Sequence, residues 1–244
     1  MIREETGVHR SLTQIRHFVT KHLKMRRRKI QPIPEGKVSL QEQAKRQKDF
    51  IENTLNALIM KSLSGEEKLF FCDAIHPIHD FYNTYIYSEK PKYQRTSNGR
   101  YRFNLLSALD VTDIEVISVY GGTYVNSETV IQLLNSIRSF YPDEIINIVL
   151  DNARYQIAKI VQERAKELNI KLHYLPTYSP NLNLIERFWK FLKKKVLAGK
   201  YYETKEEFSK AFLDFLTDVN DGKYNFELDT LLTYKFQDLT KLAV

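Results

Sequence analysis

Apolar positions recur at helical spacing at the two ends of the chain and at strand spacing in its middle. Near the N-terminus, Leu12, Ile15, Val19 and Leu23 repeat every three or four residues. They follow Ser11, which with Gln14 forms a capping-box pattern, so a helix is predicted to open there. The stretch KMRRRKIQPIPEGK breaks the repeat. Pro32 and Pro34 cannot sit inside a helix, and the segment reads as a basic linker. Ser39 and Glu42 offer a second capping box. Behind it Leu40, Ala44, Ile51, Leu55 and Ile59 outline a long amphipathic helix that stops near Ser64-Gly65.

From Lys68 the period changes. LFFCDAI, FYNTYIY, YRFNLLSAL and IEVISVY are short runs of β-branched and aromatic residues, and Asn98-Gly99 is a turn signal before the third. A strand meander is expected over about 68–120. Alternation follows. Asn126 caps a helix carrying Val130, Leu133, Leu134 and Ile137. IINIVL (145–150) reads as a strand buried on both faces. A helix with Ile157, Ile160, Val161 and Leu168 on one side comes next, then the short strand KLHYL, the loop PTYSPNLN and a helix from about Leu184 to Val196. Thr204 and Glu207 open a last helix that turns Phe208, Phe212 and Phe215 to the core. A meander followed by alternation predicts an α/β fold, a mixed sheet flanked by helices, preceded by a small helical segment.

The 244 residues are 43% apolar and 27% charged, which excludes a disordered or low-complexity chain. Neither a membrane span nor a secretory signal is evident, and the single cysteine, Cys72, rules out an internal disulfide. The expected setting is cytoplasmic. Charge is more informative. Residues 1–50 hold 13 basic and 5 acidic side chains, whereas the other 194 hold 24 and 25, so the net +7 resides in the first fifth of the chain. A basic arm on a near-neutral body suits a polyanion, most commonly nucleic acid, although a solvated basic face has the same composition.

In a sheet of this kind the site lies beyond the carboxyl ends of the strands. Three acids stand in such places. Asp73 follows LFFC, Asp151 follows IINIVL, and Glu186 lies on the helix after the last strand. Each has a simpler explanation: a strand-end turn for Asp73, a helix cap for Asp151 or Asn152, a first-turn acid for Glu186. Together they describe carboxylates converging on one sheet edge. Acids that close repel one another unless cations neutralise them, and hard divalent ions with oxygen ligands suit that role. Two such ions, roughly 3.5–4 Å apart, support in-line phosphodiester chemistry. On the last-strand helix, Ile185, Phe188, Trp189, Leu192 and Val196 form an apolar stripe, with Glu186 at its border. Trp189 reads as core. Lys190, Lys193, Lys194 and Lys195 either line a phosphate path or are solvated.

VLDNARYQ followed by LPTYSPNLNLIERFWKFLKK resembles the core of a DDE transposase, closest to the bacterial insertion-sequence relatives of mariner, the IS six-thirty type. Asp151 and Glu186 are separated by 34 residues, the spacing of that group. FCDAIHPIHD and NGRYRFNLLSALD resemble the first catalytic block and third-strand region of one branch, so the likeness covers about residues 68–240. It implies an RNase H-like fold and a catalytic, metal-binding triad of Asp73, Asp151 and Glu186. It further implies Mg²⁺ or Mn²⁺, and cleavage and strand transfer on double-stranded DNA (the element's terminal inverted repeats and its target), by a homodimer near the nucleoid. The division expected is a basic helical DNA-binding segment over 1–64 and an RNase H-like catalytic domain over 65–244. Arg16, Arg26, Arg27, Arg28 and Lys29, with Lys190, Lys193 and Lys194, are the expected DNA contacts. Gln156, Leu184 and Thr177 depart from the family pattern at peripheral positions. Relatives carry two helix-turn-helix units in front, whereas ETGVHRSLTQIRHFVTKHLKM resembles the end of the second alone, which implies a truncated copy or the product of a split reading frame. The alternatives are another RNase H-like nuclease, or an element remnant that binds DNA without catalysis. A zinc site at His76 and His79 lacks cysteine partners.

Overall fold

The structure is a computed structural model, and it describes residues 7, 10–26, 39–80, 82, 89, 93, 101–121 and 124–236. The chain falls into two compact units, Met1–Glu35 and Gly36–Val244. In the first, α1 (Leu12–His17) runs into a π-helical turn at Phe18–His22. The Ser11–Gln14 capping box forms in both directions, as read from SLTQ. Neither part of this helix buries a residue.

The second unit begins its described part with α2 (Leu40–Phe50), which passes through a π-helical turn at Ile51–Leu55 into α3 (Asn56–Leu63). Helices α2 and α3 therefore belong to the larger unit, with the sheet. Gly65, at φ +75°, ends α3. The Gly65 and Glu66 amides bond the carbonyls of Ser62 and Lys61, a Schellman stop that needs a left-handed residue at that position. Next come β1 (Lys68–Ile75), β2 (Asn104–Asp110), β3 (Glu115–Gly121), α4 (Ser127–Phe140), β4 (Ile146–Leu150), α5 (Lys159–Glu167) and β5 (Ile170–Tyr174). The chain ends with α6 (Ile185–Leu192), a π-helical turn at Lys193–Leu197, α7 (Lys205–Asn220) and α8 (Asn225–Leu231). The Asn126 and Thr204 caps form as expected. Two sequence signals, Asn98-Gly99 and all of FYNTYIY but Tyr82, lie outside the described residues.

The five strands lie in the order β3-β2-β1-β4-β5. β1 pairs antiparallel with β2, and β2 with β3, while β1, β4 and β5 run parallel. This is the mixed sheet of an RNase H-like domain. One face packs on α4 and α5 through Phe70, Leu106, Leu133, Ile137, Ile148 and Val161. The other packs on α6 and α7 through Phe71, Leu105, Val149, Phe188, Phe208 and Phe212. Each such fully buried side chain contributes about 1.5–3 kcal/mol of transfer free energy. The α5 stripe is narrower than its sequence suggests: Val161 is buried, but Ile157 and Ile160 are 40% and 50% exposed. With nine residues and an N-cap at Ala158, α5 turns only Val161 and Ala165 fully inward.

Candidate active site

Strand register sets the site. Cys72 on β1 pairs with Leu150 on β4, so Asp73 and Asp151 occupy the next level on two adjacent parallel strands. Side chains alternate along each strand, and Phe71 and Val149 both face the α6 side. Asp73 and Asp151 continue that alternation on the same face. There α6 presents Glu186 from the border of its apolar stripe, all five members of which are buried. The position of α6 is fixed by its burial and by Arg187, whose guanidinium donates to the carbonyls of Leu231, at the end of α8, and of Thr233 and Lys235 beyond it.

The electrostatics are those of an uncompensated cluster. Burial pushes the Asp73 carboxyl up to about 7, and Glu186 and Asp151 push in the same direction. The Ala74 amide and the Trp189 indole oppose the shift. Asp151 is raised by burial and then by Glu186. Among the described residues, neither Asp151 nor Glu186 has a side-chain hydrogen bond or an ion pair. Asp73 has the indole N–H of Trp189, at 3.2 Å from Oδ2, and no cation. Of the simpler explanations, two fail. Asp73 lies within β1 rather than in a turn. The α5 helix begins at Lys159 with no side-chain cap, and Asn152 donates instead to the Leu175 carbonyl. Glu186 does sit in the first turn of α6.

Among the described residues no three His, Cys, Asp or Glu side chains converge closely enough to hold a metal ion as they stand. The chemistry of the donor set fits one nonetheless. All three groups are hard oxygen donors, each of the two aspartates is pushed toward its neutral form by burial and then by neighbouring carboxylates, and a divalent cation would oppose that shift. Beside Asp151 a cavity of about 390 Å³ opens between the β4 end and the loop after β5, lined by Asn152, Leu175, Thr177 and Tyr178.

That loop is held from behind. Tyr178 has a left-handed backbone, φ +60°, which costs a non-glycine residue about 1–2 kcal/mol. Its carbonyl accepts Gln43 Nε2 at 2.6 Å and Gln47 Nε2 at 3.4 Å, both from α2. Gln47 and Asn181 exchange a second pair of amide bonds. Asn183 donates to the Cys72 carbonyl at 3.1 Å. None of these four amide side chains stood out in the sequence, and nor did Tyr155, whose phenol burial and Asp73 push up to about 12. One of them had a signal: Asn183 stands three residues before Glu186, at the entry to α6.

The other expected sites divide. Lys190, Lys193 and Lys194 are exposed and have no ion pair among the described residues. Lys195 is instead used internally, paired with Glu227 at 2.6 Å and lying over Phe191 and Tyr224. Arg16 and Arg26 are exposed in the first unit, while Arg27, Arg28 and Lys29 lie outside the described residues. His76 and His79 do not share a ligand. His76 meets Asn104, and His79, buried, meets the Tyr202 carbonyl.

Residues 68–209, more than half of the chain, match the family described as DDE superfamily endonuclease. The chain belongs to that family. Its fold is that of solved Mos1 transposase structures. A pre-cleavage Mos1 transpososome aligns at a TM-score of 0.62 and 15% identity, over 97% of this chain and 78% of that one. A Mos1 mariner paired-end complex with Mn aligns at 0.62 and 18%, over 95% and 71%. The Mos1 catalytic domain aligns at 0.55 and 17%, over 83% and 93%. No curated protein matches the chain significantly in sequence. Among the described residues no helix is long and apolar enough to cross a membrane.

Proposed function

We propose that this DDE endonuclease is a transposase of the insertion-sequence branch of the mariner-like group, and that Asp73, Asp151 and Glu186 are its catalytic triad. The observation that carries the reading is the site's uncompensated charge: three carboxylates that feel one another, with no lysine or arginine among them. Bound Mg²⁺ or Mn²⁺ would activate the attacking oxygen, first of water and then of a 3′-hydroxyl, and stabilise the leaving oxygen. The protein's own part is to hold three oxygen donors at one sheet edge on rigid elements. Burial and the neighbouring acids hold the Asp73 carboxyl toward its neutral form, and it would have to be ionised to join that set. The cavity beside Asp151 leaves room for the strand to approach. Lys190, Lys193 and Lys194 meet backbone phosphates, and so do Arg16 and the run Arg26–Lys29 in the basic segment over 1–64. Joining two transposon ends calls for a homodimer, with one catalytic domain, 65–244, at each end.

The test is cleavage of duplex carrying the element's terminal repeats, with Mg²⁺ or Mn²⁺. The wild-type chain nicks it. Asp151→Asn and Glu186→Gln keep their fold and their affinity for DNA but lose about 10²–10³-fold or more in rate. A Glu186→Gln chain that cuts at the wild-type rate removes Glu186 from the triad.

A further inference from the structure

The segment 183–189 reaches back to β1 twice, at two consecutive residues. Asn183, 1% exposed, donates to the carbonyl of Cys72. Trp189, 3% exposed, donates its indole N–H to Oδ2 of Asp73. Between them lies Glu186, whose amide bonds the Asn183 carbonyl. One short rigid piece of chain therefore presents one acid and grips the strand that presents another.

We infer that Trp189 is a positioning residue: its indole N–H holds the Asp73 carboxylate in the orientation that receives a divalent cation, with Asn183 fixing the strand beside it. The inference rests on the reading of Asp73 as a metal-holding group. Indole suits the task because it is a donor only. It steadies one oxygen of a carboxylate that also accepts the Ala74 amide, and it neither binds a cation nor takes a proton. Its ring is clamped by the core, with Phe188 at 5.3 Å between centroids, so the N–H direction is set by packing. A buried tryptophan that served only as core would be satisfied by any acceptor. This one is spent on an acid that has no cation. Groups that orient ligands in this way typically govern metal affinity by about 10–100-fold.

Trp189 is also the single tryptophan of the chain, which makes it a reporter at the site. Mn²⁺ binding to the full chain is followed by loss of the free-ion electron paramagnetic resonance signal, for wild type, Asp73→Asn and Trp189→Phe. Trp189→Phe keeps an aromatic ring and removes the donor. The expected result is a half-saturating Mn²⁺ concentration raised about tenfold or more. Cleavage should recover as Mn²⁺ is raised, so that the loss lies in the metal requirement rather than in the maximal rate. A core role alone would lower the melting temperature and leave the half-saturation point where it was. That outcome, with Asp73→Asn defective in binding, overturns the inference and spares the triad. Wild-type Mn²⁺ binding by Asp73→Asn overturns the triad reading itself. Should Trp189→Phe fail to fold, Trp189→Met, which also removes the donor and keeps an apolar side chain, is read in the same way. A half-saturation point raised about tenfold supports the inference, and one unchanged from wild type refutes it.

Discussion

The two edges of the sheet are equally rich in acids and treat them in opposite ways. Where the parallel strands start, Glu67 is paired with Lys61 at 2.6 Å and takes a further bond from Asn147, which in turn meets His173. Lys61 holds the Glu67 carboxyl below the usual range. Asp110, fully buried, faces Lys68 at 3.3 Å, and Lys68 also pairs with Asp113 and lies over the Tyr141 ring. Where the same strands finish, Asp73 and Asp151 have Glu186 as neighbour and no cation. Every strongly buried acid at the first edge has its lysine within the chain. At the second edge no lysine or arginine pairs with these acids among the described residues, and Asp73 is pushed toward its neutral form instead. Burial alone does not distinguish the two edges, since both bury their carboxylates; the internal cation does.

If that contrast holds, removing a lysine at the starting edge has the largest effect on stability. Lys68→Met leaves Asp110 buried without a counter-charge, and urea denaturation should show a loss of about 3–5 kcal/mol. Replacing Asp110 by Leu in the same chain should recover much of it, because an apolar pair of similar size carries no desolvation cost. A Lys68→Met loss under about 1 kcal/mol would make this pair no different from a surface one.

Burial raises the Asp110 carboxyl too, against the pull of Lys68; at the finishing edge it acts on Asp73 with no lysine to oppose it. The folded-state pKa of Asp73, about 7, lies above the value of about 3.9 in an unfolded chain. Between those pH values the folded chain holds a proton that the unfolded chain has lost. Stability of the metal-free protein therefore falls as pH rises from about 4 to about 7, and is level above. Asp73→Asn should flatten that slope, leaving the smaller share of the other raised acids, Asp151 and Asp110, and stabilise the metal-free chain at pH 8 by on the order of 2–4 kcal/mol. Thermal melts across pH check this, and an unchanged slope would mean that Asp73 is not held near neutrality.

The smallest effect on stability is expected on the exposed face of the helix that carries Glu186. Replacing Lys190, Lys193 and Lys194 together by Ala should change stability by no more than about 0.5 kcal/mol. It should flatten the plot of log affinity for duplex DNA against log salt by roughly 2 to 3 units if all three meet phosphates. An unaltered slope would assign the three lysines to solvent.

Local signals proved reliable where a residue's partner lies within one turn. The Ser11, Asn126 and Thr204 caps, the Gly65 stop and the apolar faces of α6 and α7 all depend on neighbours three or four residues away. Asp151 was legible because β4 ends where its apolar run ends, whereas β1 runs on past Asp73 to Ile75. Less legible were groups whose role depends on distant partners. Gln43 and Gln47 look like solvated positions on a polar helix, yet both amides are buried against the Tyr178 loop more than 130 residues away. Ile157 and Ile160 look like core and lie exposed: Ile157 precedes α5, and Ile160 falls about a quarter-turn off the face that buries Val161 and Ala165.

The sequence by itself determined which residue types stand at strand ends, how the helices begin and stop, and that the positive charge gathers in the first fifth of the chain. Each of these follows from short-range sterics, hydrogen bonding and composition. Tertiary structure decided which acids meet. Pairing Cys72 with Leu150 puts Asp73 level with Asp151, and a slip of one residue would turn one of them to the opposite face. It also decided that the Trp189 N–H points at Asp73 rather than at some backbone carbonyl. Register and side-chain direction are set by packing between elements far apart in the chain, and no local pattern encodes them.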